Sequence, residues 1–560
     1  MNSIVTTGIG RRTLIAGTLG AGAVMALAQW PQAVAEGAPF VHGVASGDPL
    51  PDGVVLWTRV TPSVEAVPGS GVGPAVAVTW QVSRDQAFSQ VVASGQVTAT
   101  AERDHTVHVD VRGLAPHTTY WYRFSALGAT SRTGRTRTSP APASSTPIRF
   151  GVVSCANYDW GWFAPYRFLA QRKDLDAVLH LGDYVYEYAP GGVIADYPAN
   201  PRNADPLHEC ITLGDYRTRH GCYKLEANLQ ALHAAHPMIA VWDDHEIAND
   251  TWREGAENHD PQTEGEWATR ADAGRRAFLE WLPIRHTDPD DWARINRRVQ
   301  FGKTVDLWML DERRFRSEAP KSLLLGYGYL GKGSSDPEAT MIGSEQEHWL
   351  ISGISASTSR WKVLGNQVPF FPQQLLGNVP GQVTDLLGPQ LSQMFADPIA
   401  QIYVEDWNGF LAQHRRLVEG MAGVDGVVIL TGDVHESFAA EIPRRTNHYL
   451  LDRKAVAVEF ITPGVASPSV ATMINQVVPG VGNVLDTVLT TNNALANPWV
   501  KYSEGFSTGC MVVDFTTQRV QADWFHVDDM ADPDSGLTHG ASWQSKAGSN
   551  KLTKASGRLT

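Results

Sequence analysis

Beyond its N-terminal segment the chain has no run of about 20 apolar residues, the length that a membrane-spanning helix needs. We therefore expect no transmembrane segment in the mature protein. Cationic side chains are also scarce, because 46 Lys and Arg residues are outnumbered by 59 Asp and Glu residues, which gives a net charge of −13. A negatively charged surface disfavours binding to a phosphate backbone, so we expect no stable nucleic-acid partner.

Cysteine is rare, with four residues in 560. Cys210 and Cys222 lie in a polar, loop-like segment and could form a disulfide in an oxidising compartment. Cys510 lies in a β-type run, which favours a buried thiol. Cys155 follows an apolar strand directly, and alone it would be interpreted as another buried thiol.

The N-terminus is a targeting segment. Arg11 and Arg12 precede an apolar stretch rich in Gly and Ala, and Ala33-Val34-Ala35 offers a cleavage site. A twin arginine before a mild apolar region is typical of a Tat signal, with an ordinary Sec signal as the alternative. We therefore expect residues 1–35 to be a Tat-type signal peptide. The mature protein is then secreted or extracytoplasmic, in the periplasm or cell wall, and the Tat export machinery is a partner.

The length of the chain predicts two domains. Residues 38–138 contain short alternating strands separated by turn residues, which is typical of an all-β domain. The segment 114–124 resembles the tyrosine-corner strand of fibronectin type III sandwiches. Residues 139–147 are rich in Pro, Ser and Ala and predict a linker.

From residue 148 to about residue 530, strands and helical stretches alternate, which predicts a layered α/β domain. The helices are predicted over residues 166–172, 225–235, 267–281, 344–355 and 407–419, with additional strands over 305–310 and 361–364. The tail, residues 531–560, is rich in Gly, Ser, Lys and Asp. It could be disordered or could cover a site.

Four apolar segments of this domain end abruptly in potential metal ligands. Their ends carry Cys155, Asp183 with Tyr186, the pair Asp243 and Asp244, and Asp433 with His435. In open α/β sheets the ligand site lies outside the carboxyl ends of the strands, so these endings could converge at one edge. A phenolate and a thiolate beside carboxylates suit Fe(III) better than a plain zinc site.

The motifs at these ends carry a family resemblance. Gly182-Asp183-x-x-Tyr186 and Gly432-Asp433-Val434-His435 resemble the metal motifs of calcineurin-like and purple-acid-type metallophosphoesterases. Together with Ser154-Cys155 and Trp242-Asp243-Asp244-His245-Glu246, they resemble the alkaline phosphatase D family, which includes secreted phosphodiesterases and phospholipases D. Gly43-Val44-Ala45-Ser46-Gly47-Asp48-Pro49 matches the N-terminal domain of that family, so the resemblance covers nearly the whole mature chain.

The resemblance implies a fold and a reaction. The fold is α/β, a layered metallophosphoesterase β-sandwich flanked by helices and preceded by a fibronectin III-like all-β domain. The reaction is the hydrolysis of phosphate monoesters or diesters by attack of a hydroxide that an Fe(III)–Ca(II) centre activates. We expect no covalent phosphoenzyme, because no Ser or Thr nucleophile signature appears beside a base.

The resemblance also implies the metal ligands. Fe(III) is expected on Cys155, Asp183, Tyr186 and His435, with Asp183 bridging to the second metal. The oxygen-rich residues that remain suit Ca(II). They are Asp244 and Asp433, with Asn249 or Asp250 contributing, although Asn249-Asp250 could equally form an Asx turn or a helix cap.

Three residues are expected to act on the substrate. His245 is the candidate general acid, because Asp244-His245-Glu246 resembles the Asn-His-Asp/Glu triple of the wider superfamily. Arg253 could hold a phosphate oxygen or could be a surface arginine. Asn157 follows a strand end and could donate to the phosphate, as could Asn366.

Two alternatives stay open. A phospholipase D would need an apolar approach for a lipid surface, for which residues 326–330 and 369–377 are candidates, although such Pro-flanked aromatics also serve as loop packing. A noncatalytic protein that binds a cell-wall polymer is the other alternative. Under that alternative, the aligned ligand motifs would be a coincidence.

Overall fold

The computed structural model describes residues 39–191, 202–286, 288, 290–320, 329–331, 333–374, 401–477, 480, 483 and 496–559. The predicted signal peptide, residues 1–35, lies outside these ranges, as do residues 326–328 and 375–377 of the candidate lipid approach. Among the helices described, none has the length and apolar character that crossing a bilayer requires.

Strands alternate with short helices along the chain. The strands of the N-terminal region are β1 (Val44–Leu50), β2 (Gly53–Arg59), β3 (Val76–Ser83), β4 (Val91–Ala99), β5 (Thr106–Arg112), β6 (Thr119–Ala126), β7 (Ala129–Thr130) and β8 (Gly134–Arg137). Those that follow are β9 (Ile148–Val153), β10 (Ala177–His180), β11 (Pro237–Ala240), β12 (Arg297–Phe301), β13 (Val305–Met309), β14 (Tyr329–Gly331), β15 (Trp361–Gly365), β16 (Gln401–Tyr403), β17 (Val427–Thr431), β18 (Ser437–Pro443), β19 (Ala455–Ile461), β20 (Val500–Glu504), β21 (Gly509–Phe515), β22 (Arg519–Val527), β23 (Leu537–Lys546) and β24 (Leu552–Lys554).

The α-helices within the described residues all follow the N-terminal strands β1 to β8. They are α1 (Ala164–Gln171), α2 (Leu213–Lys224), α3 (Ala227–Ala235), α4 (Pro261–Glu264), α5 (Trp267–Trp281), α6 (Gly343–Ala356), α7 (Leu411–Met421), α8 (Tyr449–Asp452) and α9 (Val470–Val477). Short 3-10 turns cover Ala101–Arg103, Trp407–Gly409 and Thr446–His448.

Two large mixed sheets form the centre of the molecule. The first has the strand order β24-β23-β22-β21-β9-β10-β11-β1-β2-β5, and the second has the order β12-β13-β15-β17-β19-β18-β20. Strands β9, β10 and β11 are parallel neighbours in the first sheet, and β13, β15, β17 and β19 are parallel neighbours in the second. Each sheet therefore presents several carboxyl strand ends at one edge.

The two sheets pack face to face. Phe150 and Leu179 of the first sheet share one buried core with Leu307 and Val363 of the second. Alternate residues of the second sheet point to the other face, where they pack with α6 and α7 in a separate core that includes Trp308, Leu350 and Leu417. This period-two alternation makes a sandwich with helices outside it, so the predicted fold class is confirmed.

The N-terminal region is all-β, as predicted, but it is joined to the α/β region that follows by a continuous sheet. Strand β1 pairs in parallel with β11, which places Ser46 beside Pro237, and β2 and β5 extend the same sheet. The second N-terminal sheet, β4-β3-β6-β7 with β8 on β6, closes the sandwich. The Tyr120 hydroxyl accepts a hydrogen bond from the Ala115 N–H at 2.9 Å, the contact expected of a tyrosine corner.

The structure settles two alternatives that the sequence left open. The tail is ordered into β23 and β24, which extend the edge of the first sheet next to β22. All four cysteines lie within the described residues, and all four are buried free thiols. The Cys222 Sγ accepts a hydrogen bond from the Asp205 N–H at 3.4 Å rather than bonding to Cys210.

Candidate metal centre

The potential ligands converge at the edge where the parallel strands of both sheets end. Ligand atoms of Cys155, Asp183 and His435 lie within 4.8 Å of one another. The same holds for two further groups, Asp183 with Asp244 and His245, and Asp243 with Asp244 and Asp433. The first and second groups share Asp183, and the second and third share Asp244. The structure thus contains three adjoining groups of side chains that could hold cations.

Tyr186 joins the first group from the loop after β10. Its hydroxyl donates to Asp183 Oδ2 at 3.1 Å, lies 3.3 Å from His435 Nε2 and accepts from the Ser467 hydroxyl at 2.9 Å. His435 Nδ1 lies 2.9 Å from the Pro468 carbonyl oxygen, which can only accept. This bond fixes the tautomer and leaves Nε2 as the nitrogen that can bind a cation.

The backbone is strained at the same residues. Five of them adopt a left-handed conformation with φ between 53° and 66°, namely Cys155, Asp183, Asp250, Asp433 and His435. Side-chain-bearing residues rarely occupy this region, and such strain concentrates at functional sites, where surrounding contacts hold it in place. Each of these turns directs a side chain toward the edge of the sheet.

Glu246 supplies contacts that hold two of these turns. Its buried carboxylate accepts hydrogen bonds from the N–H groups of Asp183, at 3.1 Å, and of Asp243, at 2.7 Å, and also from the N–H of Tyr184. It therefore ties the end of β10 to the end of β11. The sequence placed Glu246 in a motif but gave it no role.

Burial and crowding of charge dominate the electrostatics of the third group. Burial, then the charge of Asp243, raises the pKa of Asp433 to about 7. Burial also opposes ionisation of Asp244, but the charges of Arg313 and His245 outweigh it and bring its pKa to about 2. The charges of Arg313 and His245 therefore favour ionisation of Asp244, whereas burial and Asp243 disfavour ionisation of Asp433.

Within the three ligand groups, two buried carboxylate oxygens have no hydrogen-bond partner among the described residues, and they are Asp183 Oδ1 and Asp243 Oδ2. Burial and the neighbouring carboxylates Asp244 and Asp243 raise the pKa of Asp183 well above its ordinary value, against the charge of His245. Buried acceptors without a donor are costly, and a bound cation removes that cost. The residues present therefore fit a metal centre.

Arg313 is a site residue that the sequence analysis missed. Its Nε donates to Asp243 Oδ1, and its Nη2 donates to Asp244 Oδ1 at 3.3 Å and lies 3.5 Å from Asp433 Oδ1. It follows β13, which ends at the same edge of the second sheet as β17. The signal was present, because residues 305–310 form an apolar strand that ends in charged residues, as the ligand strands do.

A second buried arginine lies next to the group formed by Asp243, Asp244 and Asp433. Arg316 donates from Nη2 to Glu405 Oε2 at 2.7 Å, and its charge opposes the rise in the pKa of Asp433 and Asp250 that burial causes. Its Nε and Nη1 have no hydrogen-bond partner within the described part of the chain.

His245 is oriented by Glu187. Its Nδ1 lies 2.8 Å from Glu187 Oε2, and its ring stacks on that of Tyr186 with centroids 4.2 Å apart. Burial alone would lower the pKa of His245, but the charges of Glu187, Asp244 and Asp183 raise it well above its ordinary value. The bond to Glu187 occupies Nδ1, so Nε2 is the ring nitrogen from which His245 can donate a proton to a bound substrate.

Asn249 and Asp250 lie in the turn beside the cluster. The Asn249 amide accepts from the Tyr188 hydroxyl at 2.9 Å and donates to Glu257 at 2.7 Å and to Asp250 at 3.1 Å. The Asp250 N–H donates to Asp244 Oδ2 at 2.7 Å. Neither side chain belongs to the three ligand groups above, so both stay predictions as ligands.

The candidate substrate residues lie in different surroundings. The Arg253 side chain is 54% exposed and pairs with Glu254. Asn157 is buried, and its side-chain oxygen accepts from the Asp159 N–H at 3.0 Å within a turn. Asn366 is also buried, and its amide donates to the Val368 carbonyl and the Thr431 hydroxyl, so its donors serve the fold.

Residues 369–374 of the candidate lipid approach belong to the buried core. Phe370 and Phe371 are buried, and their N–H groups donate to the two carboxylate oxygens of Glu459 at 2.9 and 2.7 Å. These aromatic side chains pack the loop after β15 and present no apolar surface to a lipid.

A layered α/β sandwich whose strand ends gather carboxylates, a thiol, a phenol and imidazoles has the architecture of a metal-dependent hydrolase. The model of the PhoD-like phosphatase family matches residues 150–524, and the model of its N-terminal domain matches residues 25–140. The chain belongs to the PhoD-like phosphatase family. The family resemblance stated from the motifs is confirmed, and the protein is a phosphoester hydrolase.

Two relatives show how far the similarity extends. Alkaline phosphatase D of Bacillus subtilis (strain 168) is 32% identical over 527 residues, which cover 92% of this chain and 82% of that protein. The solved structure of PhoD matches with a TM-score of 0.79 at 29% identity, and the match covers 93% of each chain. The similarity therefore includes the N-terminal region as well as the metal centre.

Proposed function

We propose that the protein hydrolyses phosphate monoesters and diesters outside the cytoplasm with a mixed Fe(III)–Ca(II) centre. Fe(III) is held by Cys155, Asp183, Tyr186 and His435, and Ca(II) is held by Asp183 and Asp244 together with Asp433. The observation that supports this most is that a carboxylate oxygen of Asp183 lies within 4.8 Å of ligand atoms of Cys155 and His435 and also of a carboxylate oxygen of Asp244. Shared carboxylates let two cations sit side by side, as phosphoester hydrolysis by a two-metal site requires.

The thiol and the phenol of the first group favour a highly charged ion. Burial, followed by the charge of Asp183, raises the pKa of both Cys155 and Tyr186 well above their ordinary values. Neither group would ionise there unless a bound cation compensated the new charge. Hard phenolate and carboxylate ligands beside one thiolate suit Fe(III).

The third group favours calcium. Asp243, Asp244 and Asp433 offer only oxygen atoms, and Arg313 already neutralises one of their three charges. The remaining charge matches a divalent ion, and oxygen-only sites prefer Ca(II). Asn249 or Asp250 would complete the shell, and Asn249 would first have to release the Tyr188 hydroxyl.

The bound cations would supply positive charge for the phosphoryl oxygens and lower the pKa of a water molecule. His245, charged and oriented by Glu187, donates a proton from Nε2 to the leaving oxygen. Arg313 holds Asp243 and Asp244 in place. Asn157 and Arg253 are candidates for contacting the phosphate, and Arg253 would first have to leave Glu254.

We also propose export of the folded protein by the Tat route. The support is Arg11-Arg12 before an apolar stretch and the Ala33-Val34-Ala35 cleavage site. Export after folding would let the metals bind in the cytoplasm. Changing both arginines to lysine should leave the protein inside the cell, and unchanged secretion of that variant would contradict the route.

The function is tested by combining metal analysis with turnover. The purified protein should contain iron and calcium and should hydrolyse a chromogenic monoester or diester. Asp183→Asn should lose both metals and all activity, because Asp183 is shared between two groups. Phosphatidylcholine as a third substrate tests the phospholipase D alternative. A protein without iron, or a fully active Asp183→Asn variant, would contradict the proposal.

A further inference from the structure

The connection between β18 and β19 carries an exposed apolar pair. Residues 444–454, here the β18–β19 tip, contain the short helix α8. Leu450 and Leu451 are adjacent on it, and each is 52% exposed. Single exposed aliphatic residues are ordinary on a protein surface, so the meaning of this adjacent pair depends on the side chains that surround it.

Cationic side chains surround this pair. The tip itself contributes exposed Arg444, Arg445, Arg453 and Lys454. Two lysines from elsewhere in the chain join it, with the Nζ atoms of Lys501 and Lys551 at 5.2 and 5.1 Å from the centre of the ring of Tyr449, the first residue of α8.

Fewer carboxylates lie in the same region. Glu419 is 3.3 Å from Arg444, Asp452 is exposed, and Glu441 is buried and binds Lys551 at 2.9 Å. Among the described residues these six cations outnumber the three carboxylates, although the whole chain has a net charge of −13. A locally positive surface on a negative protein indicates an anionic partner.

The tip lies far from the metal centre. Strand β18 begins at Ser437, two residues after His435, and runs for seven residues to Pro443. At about 3.4 Å per residue the strand separates the tip from the metal centre by about 20 Å. A partner bound at the tip would therefore leave the metal centre open.

We propose that the β18–β19 tip docks the protein onto an anionic phospholipid bilayer. The leucines enter the apolar side of the headgroup region, and the surrounding arginines and lysines contact the lipid phosphates. A soluble polyanion would use the cations but would gain nothing from two exposed leucines. Docking places the enzyme at the membrane surface with its metal centre directed away from it, and it does not depend on which phosphate ester is the substrate.

Vesicle flotation of the metal-loaded protein tests this proposal. The protein should float with vesicles of phosphatidylglycerol and phosphatidylcholine and should stay behind with phosphatidylcholine alone. Leu450→Ser/Leu451→Ser should lower the bound fraction at least about tenfold, because the apolar anchor is lost. The matched control is Val91→Ser/Val92→Ser, which changes another adjacent exposed pair that lies on β4.

Turnover of a soluble chromogenic ester should be unchanged in both double variants. Failure of the wild-type protein to float would overturn the proposal. So would flotation of the leucine variant at the wild-type level, which would mean that the cations act alone as a general polyanion surface. An equal loss of the bound fraction in the valine variant would also overturn it, because exposed aliphatic residues outside the tip would then contribute as much as the leucines. A protein that fails to hydrolyse phosphate esters but still floats would contradict the proposed function and leave the docking proposal standing.

Discussion

At the candidate metal centre, the contacts of single side chains are consistent with a bound cation, and Tyr186 is the clearest example. Tyr186 is buried, strongly disfavoured as a phenolate, and surrounded by Asp183, His435 and Ser467. A neutral phenol could form these bonds in many places, but here it adjoins a carboxylate oxygen that lacks a donor. The phenol is therefore positioned to become an anionic ligand once positive charge is present.

We expect the iron-loaded protein to be coloured, because phenolate and thiolate ligands of Fe(III) give visible charge-transfer bands. Tyr186→Phe should shift or abolish the band and lower activity about 10- to 100-fold, the cost typical of changes that weaken a metal site. Absorbance spectra and iron content check this. Tyr184→Phe is the control, since its hydroxyl bonds His233 in the core. An unchanged spectrum in Tyr186→Phe would remove Tyr186 from the iron ligands.

In the proposed centre, Arg313 compensates charge that calcium would otherwise have to balance. Arg313→Gln should lower the stability of the calcium-free protein by about 3 kcal/mol or more, because buried carboxylates lose their partner. Added calcium should then raise Tm more in the variant than in the wild type. Thermal unfolding with and without calcium measures both effects.

The neighbouring Arg314→Gln is the matched control for this experiment, since Arg314 binds Asp291 at 2.6 Å away from the cluster. The same loss of Tm in Arg313→Gln with and without calcium would mean that Arg313 is structural and does not share the carboxylates with a cation.

At the scale of secondary-structure elements, the site depends on where strands end. The turns after β9, β10, β11 and β17 each use a left-handed residue or a close contact to direct a ligand to one edge. Gly182 shows how close the contacts are, because a Cβ there would lie 2.4 Å from Asp243 Cβ. The end of one strand is thus packed against the end of the next.

The shared sheet that connects the N-terminal region to the catalytic region can also be tested with a glycine substitution. A Cβ at Gly47 in β1 would lie 2.3 Å from the Pro283 carbonyl oxygen and 2.6 Å from that of Met238. Gly47→Ala should therefore destabilise the protein by about 1–3 kcal/mol. Because both regions share one sheet, the unfolding curve should keep a single transition at lower temperature.

Gly557→Ala is the control for this prediction, since a Cβ at Gly557 would meet no atom within 4 Å. Two separate transitions in Gly47→Ala, with only one of them shifted, would show that the N-terminal region folds independently of the catalytic sheet.

Elements with a strong apolar period were predictable from the sequence. The helix α5 has the predicted bounds, and the strands before Cys155, Asp183 and Asp433 lie where the sequence placed them. The helix α2 was not predicted, because its buried residues include Arg217, His220 and Lys224 rather than an apolar stripe. The strands of the tail were not predicted for a related reason, because edge strands such as β23 bury few apolar side chains.

The ligand motifs of the site could also be predicted, because each lies next to the strand that positions it. The roles of Arg313 and Glu246 could not, because they depend on which strand ends become neighbours in space, although the sequence does show that Arg313 follows an apolar strand. The order β13-β15-β17 in one sheet and β9-β10-β11 in the other brings them to the cluster. Local sequence carries no information on that order.

At the scale of the whole molecule, the metal centre joins the two sheets. Cys155 and Asp183 follow strands of the first sheet, whereas Asp433 and His435 follow β17 of the second. Metal binding is therefore expected to stabilise the packing of the sandwich as well as to support turnover. The two ions should differ in how firmly they are held, because thiolate and phenolate bind iron more tightly than carboxylates bind calcium.

Treatment with EGTA tests the mixed centre most directly. The chelator should remove Ca(II) from Asp244 and Asp433 and abolish hydrolysis, while the visible band from Cys155 and Tyr186 stays. Added Ca²⁺ should restore turnover, and Zn²⁺ should not restore it fully. Loss of the colour together with the activity, or turnover that EGTA leaves untouched, would contradict a centre in which Fe(III) and Ca(II) share Asp183 but have separate roles.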